Sequence, residues 1–121
     1  MKTLLIIDDD LFVQQAYRDK FTSLGYTVVP AFDHKDVAAC IAGTSIPDVI
    51  ILDIMMPHKD GFEILEEIKE HALWKTIPVI MLTNLDSERE RAKQMGVSEY
   101  LVKSDTPIAQ IVQTIKRIVG E

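Results

Sequence analysis

At 121 residues, 47% of them hydrophobic and 26% charged, the chain has material for one core, and a single domain over 1–121 is expected. Its net charge of −6 argues against binding nucleic-acid phosphates or an anionic membrane surface. A lone Cys40 excludes an internal disulfide, and no apolar run approaches the ~20 residues of a membrane span, so a cytoplasmic protein is expected.

The first apolar run, about residues 3–8 with Leu4-Leu5-Ile6-Ile7 at its centre, reads as a buried strand. It ends on Asp8-Asp9-Asp10. Asp10 is most simply the N-cap of a helix whose face carries Val13, Ala16, Tyr17, Phe21 and Leu24, with Gly25 as its stop. A second strand is predicted over 26–31. Asp33 then caps a helix with Val37, Cys40 and Ile41, ended by Gly43. The third strand, about 48–53, runs Val49-Ile50-Ile51-Leu52 into a lone carboxylate, Asp53. Met55-Met56-Pro57 suggests a turn. Gly61 stands near the start of a helix with the stripe Ile64, Leu65, Ile68 and Ala72, closed by Trp74 and Lys75. The fourth strand, about 78–82, leads to Thr83 and Asn84. Ser87 begins a charged helix, Glu88-Arg89-Glu90-Arg91, that ends at Gly96 and is either a solvated face or part of a partner surface. The fifth strand, about 98–102, closes with Tyr100-Leu101-Val102 and runs to Lys103. The last helix repeats Ile108, Ile111, Val112, Ile115, Ile118 and Val119 at helical spacing.

Alternating strands and helices specify an α/β fold with right-handed crossovers. Five such units predict a flavodoxin-like five-stranded parallel sheet, order 2-1-3-4-5, with five helices. Pro30 fits that order, because the second strand is then an edge strand, where a missing N–H is tolerated.

Ligands of such sheets bind beyond the carboxyl ends of the strands, at the switch point, here between strands one and three. The strand ends nearby carry Asp8 and Asp9, Asp53, Thr83 with Asn84, and Lys103. Two carboxylates about 4 Å apart repel by roughly 4 kcal/mol at an effective dielectric near 20, so the cluster calls for a cation, a shared proton or a basic partner. Mg²⁺ suits it. Asp9 and Asp53 supply two carboxylate oxygens, Asp8 holds a coordinated water, and the Met55 backbone carbonyl adds a further ligand. Asp53 can attack phosphorus to form an aspartyl phosphate. The metal then takes one phosphoryl oxygen, the Thr83 hydroxyl and the Asn84 backbone N–H a second, and Lys103 a third. His34, His58 and His71 have no ligand-like spacing to one another or to Cys40, so no transition-metal site is expected.

Ile7-Asp8-Asp9-Asp10, Leu52-Asp53-Ile54-Met55-Met56-Pro57-His58-Lys59-Asp60-Gly61, Leu82-Thr83 and Tyr100-Leu101-Val102-Lys103 together resemble the receiver domain of bacterial two-component response regulators. The resemblance covers essentially the whole chain and is to a stand-alone, CheY-like receiver without an output domain. It implies that Asp53 is the phosphoacceptor and that Asp8 and Asp9 position Mg²⁺. It implies that Thr83 is the switch hydroxyl, that Lys103 pairs with the phosphorylated site, and that Tyr100 is an aromatic switch that turns inward. The implied donor is a sensor histidine kinase or a histidine phosphotransfer protein. The implied output is a protein effector at the face of helix four, strand five and helix five. Such a chain is a signalling phosphoacceptor with slow self-dephosphorylation, not an enzyme with a separate substrate.

Two positions depart from the pattern. Ser104 replaces the proline that usually follows the lysine, so Ser104-Asp105-Thr106-Pro107 is expected to take another path. Asn84 replaces a small residue, and its bulk is expected to narrow the approach of a phosphodonor. Apolar Met55 and Leu85 flank the pocket, which predicts slow hydrolysis. Two rival readings remain open. One is a Mg²⁺-dependent phosphatase using Asp8-x-Asp10; the other is an unphosphorylated interaction module.

Overall fold

The computed structural model describes residues 2–56 and 60–121; the end of the predicted Met55-Met56-Pro57 turn, and His58 and Lys59, lie outside the described residues. The strands are β1 (Thr3–Ile7), β2 (Thr27–Ala31), β3 (Val49–Leu52), β4 (Val79–Thr83) and β5 (Glu99–Val102). The helices are α1 (Leu11–Ser23), α2 (His34–Ala42), α3 (Gly61–Glu70), α4 (Arg89–Gln94) and α5 (Ile108–Val119). All strand pairs are parallel and the order is β2-β1-β3-β4-β5, as the alternation predicts. No helix among the described residues is long and apolar enough to cross a membrane.

Strand side chains alternate between two cores, the period-2 consequence of a pleated backbone. Leu5, Ile7, Ile50, Leu52, Val79 and Met81 face α2, α3 and α4, where they meet Val37, Ile64, Leu65, Ile68 and Ala92. Leu4, Ile6, Val49, Ile51, Ile80 and Leu82 face α1 and α5, where they meet Phe21, Ile111, Val112 and Ile115. Every residue of β3 is buried, which is why the central strand reads as an unbroken apolar run.

The register sets up the site. Ile7 pairs with Leu52, and the Asp53 N–H donates to the Ile7 carbonyl at 3.0 Å, so Asp8 and Asp53 leave the sheet side by side. Thr83 pairs with Val102, which brings Lys103 to the same edge. Asp10 caps α1 as predicted, accepting from the N–H groups of Phe12 and Val13 at 2.8 and 3.2 Å. Asp33 and Asp60 cap α2 and α3 in the same way.

Several boundaries move. Helix α3 ends at Glu70, short of Ala72, and Trp74 lies beyond it, buried in the core. The turn is organised by His71, whose Nδ1 accepts from the N–H groups of Leu73 and Trp74. Helix α4 begins at Arg89, two residues after Ser87, with no side-chain cap to extend it. Lys103 is not a strand end; it opens a short 3-10 turn, Lys103–Asp105.

Candidate functional site

Asp8 and Asp53 are buried, and Asp9 beside them is exposed. One carboxylate oxygen of each lies within 4.8 Å of the other two. The Lys103 ammonium bridges two of them, donating to Asp8 Oδ2 at 2.6 Å and to Asp53 Oδ2 at 2.9 Å. The other oxygens take backbone donors: Asp8 Oδ1 accepts from Asp10 N at 2.9 Å and Asp53 Oδ1 from Met55 N at 3.1 Å. Three carboxylates thus face one ammonium.

Burial and pairing compete here. Burial pushes the Asp8 carboxyl above its ordinary value and outweighs the Lys103 hydrogen bond that pulls it down. Burial also pulls Lys103 down, but its bonds to Asp8 and Asp53 prevail and hold the ammonium above its ordinary value. Desolvation therefore wins at Asp8 and pairing wins at Lys103, which stays charged at neutral pH.

A hard, oxygen-only donor set with surplus negative charge fits Mg²⁺ and not a thiolate- or imidazole-seeking metal. Asp10 is turned away from this cluster. Its carboxylate caps α1, which removes the second acid that the phosphatase reading needs.

Thr83 is fully buried, and its Oγ1 accepts from Leu85 N at 3.3 Å. Tyr100 is also buried, and its hydroxyl donates to the Leu85 carbonyl. One residue, Leu85, therefore joins the predicted switch hydroxyl to the predicted switch aromatic. Met55 and Leu85 both line a groove of about 500 Å³ between the β3–α3 and β4–α4 segments, whose lining starts at Ile54 and does not include Asp53.

Three contributors escape the sequence reading. Gln14 is buried on α1, and its Nε2 donates to the carbonyls of Ile6, Asp8 and Ala31 at 2.9, 3.0 and 3.1 Å. It clamps the ends of β1 and β2 where the acidic loop begins; a glutamine among polar helix residues gives no sign of this. Gln14→Ala should cost about 1–3 kcal/mol, because buried carbonyls lose their donor. A lower urea midpoint at unchanged slope is expected, and a midpoint equal to wild type would show that the clamp has no weight.

Arg89 packs its guanidinium 4.9 Å from the centre of the Tyr100 ring and donates to the Tyr100 carbonyl at 2.9 Å. It belongs to the charged run, whose composition suggests only a solvated or partner-facing helix. Gly61 brings its backbone against the Asp53–Ile54 segment, its N–H donating to the Ile54 carbonyl at 2.9 Å. Asn84 makes a contact that its sequence position does not announce. Its side chain reaches the Ser104 backbone N–H at 3.0 Å.

Comparison with known proteins agrees with this geometry. The chain matches the family model of the response regulator receiver domain over residues 4–116. A curated relative, "Probable transcriptional regulator ycf27" of Guillardia theta, is 35% identical over 106 residues, covering 86% of this chain and 40% of that protein. The chain thus spans less than half the length of that relative. The receiver domain of the Francisella response regulator 1452 superposes with a TM-score of 0.87 at 30% identity, covering 99% of this chain and 98% of the other. Response regulator TrrA of Thermotoga maritima, solved in complex with Mg²⁺-BeF, superposes with a TM-score of 0.83 at 26% identity, covering 98% and 99%.

Proposed function

Since the chain belongs to the response regulator receiver domain family, we propose that Asp53 accepts a phosphoryl group from a sensor histidine kinase or histidine phosphotransfer protein. The output is phosphorylation-dependent binding of a protein effector, or onward phosphotransfer. The observation that carries this reading is the convergence of Asp8, Asp9 and Asp53 with the Lys103 ammonium seated on two of them.

In the proposed step an Asp53 carboxylate oxygen attacks phosphorus. The P–N bond of the donor phosphohistidine breaks as the O–P bond forms, and the departing imidazole takes up a proton from solvent. Lys103, already at Asp53, follows the new charge and pairs with a phosphoryl oxygen. The Thr83 hydroxyl and the Asn84 backbone N–H serve a second oxygen. Asp8, Asp9, Asp53 and the Met55 carbonyl are the oxygens that would hold Mg²⁺, which when bound neutralises carboxylate and phosphoryl charge. The complex of TrrA with Mg²⁺-BeF supports that assignment by likeness.

Thr83 and Tyr100 share Leu85, so a pull on the Thr83 hydroxyl is felt by the Tyr100 ring. That ring lies under Arg89 at the junction of α4 and β5, which supports an effector surface on α4, β5 and α5. A cytoplasmic location fits a kinase-fed signal.

The test is incubation with acetyl phosphate and Mg²⁺, followed by assay for a hydroxylamine-labile phosphate. Modification that requires Mg²⁺ is expected. No modification with any donor would favour the unphosphorylated interaction module. Because Met55 and Leu85 offer no side-chain hydrogen bond to an attacking water, the phosphoryl group should persist for many minutes; decay within seconds would contradict this.

A further inference from the structure

The two positions that depart from the receiver pattern, Asn84 and Ser104, meet in the fold. The Ser104 backbone N–H donates to Asn84 Oδ1 at 3.0 Å. The usual residues cannot make this bond. A proline at 104 has no N–H, and a small apolar side chain at 84 has no acceptor. Asn84 directly follows Thr83, and Ser104 directly follows Lys103. The bond therefore ties together the backbones that carry the hydroxyl and the ammonium of the site. It also answers a local need. Ser104 lies at the start of the 3-10 turn, where N–H groups have no acceptor within the turn. The Asn84 side chain supplies one from another loop.

We propose that Asn84 is a positioning residue that pins the Lys103–Ser104 turn and so holds the Lys103 ammonium against Asp53. The inference rests on the reading of Asp53 as phosphoacceptor. It gives Asn84 a role besides the expected narrowing of the donor's approach, because the side chain is engaged with Ser104. The pin acts through Lys103, and loosening one cation that shares Asp8 and Asp53 does not weaken a second one there, so transfer slows with no loss of Mg²⁺ affinity.

The experiment uses the full chain and compares wild type with Asn84→Ala, each also in a Ser104→Pro background. Phosphorylation by acetyl phosphate at saturating Mg²⁺ should slow about three- to ten-fold in Asn84→Ala, the scale of one hydrogen bond. The Mg²⁺ Kd from calorimetry should be equal to or below that of wild type, and the Ser104 amide should exchange faster with deuterium. In the Ser104→Pro background the donor is already gone, so Asn84→Ala should cost nothing further. An equal cost in both backgrounds, a parallel loss of Mg²⁺ affinity, unchanged Ser104 exchange, or faster phosphorylation would each overturn the proposal. A wild type that takes no phosphoryl group overturns both this and the reading of Asp53. A wild type that takes one, with Asn84→Ala at the same rate, overturns this inference alone.

Discussion

Asp53→Asn should carry no hydroxylamine-labile phosphate under conditions that saturate the wild type, while its circular dichroism spectrum stays superimposable. The amide keeps an acceptor oxygen for the Met55 N–H and nearly the same volume, so the β3–α3 segment has no reason to move. It loses the nucleophile, because a carboxamide oxygen does not form a stable acyl phosphate. Lys103 retains its bond to Asp8 at 2.6 Å, and one of three crowded negative charges is removed. The unfolding midpoint should therefore be equal to or above that of wild type. Phosphate retained on this variant would refute the assignment of Asp53.

The second large effect is structural and lies eight residues away in sequence. A methyl group at Gly61 would sit 2.7 Å from Ile54 Cα and 3.0 Å from the Asp53 carbonyl carbon, and closer still to the Asp53 carbonyl oxygen. All three are backbone atoms, so no rotamer change relieves the clash. Gly61→Ala should cost about 2–4 kcal/mol, a range that spans the upper end of ordinary overpacking. It should also slow phosphorylation, because the peptide that must move is the one carrying Asp53. Loss of stability with an unchanged phosphorylation rate would separate the glycine from the site. No loss at all would mean that the α3 start and the Asp53 segment are not held in contact.

The link from Thr83 through Leu85 to Tyr100 is the mechanical basis of the proposed switch. Both side chains are buried and each uses a different group of one peptide-bearing residue. A shift of the β4–α4 segment cannot leave Tyr100 unaffected unless its hydroxyl bond breaks. Arg89 holds the same ring from outside, through its face and through the Tyr100 carbonyl. These contacts therefore connect the Thr83 hydroxyl to the start of α4, where the proposed effector surface begins.

Local rules sufficed for much of this molecule. The Leu4–Ile7 and Val49–Leu52 runs determined buried parallel strands, because a near-continuous apolar strand needs cover on both faces. Asp10 and Asp33 mark their helix starts by themselves, since a cap acts within three residues of its own position. Strand order then brings Asp8, Asp9, Asp53, Thr83 and Lys103 to one edge. Tertiary structure alone decided how that edge is held. Lys103 bonds Asp8 across 95 residues, Gln14 clamps Ala31 across 17, and Asn84 reaches Ser104 across 20. Helix periodicity and turn chemistry act over a few residues. These contacts depend instead on which loops the packed sheet sets side by side, and on the cost of leaving a buried charge or carbonyl without a partner.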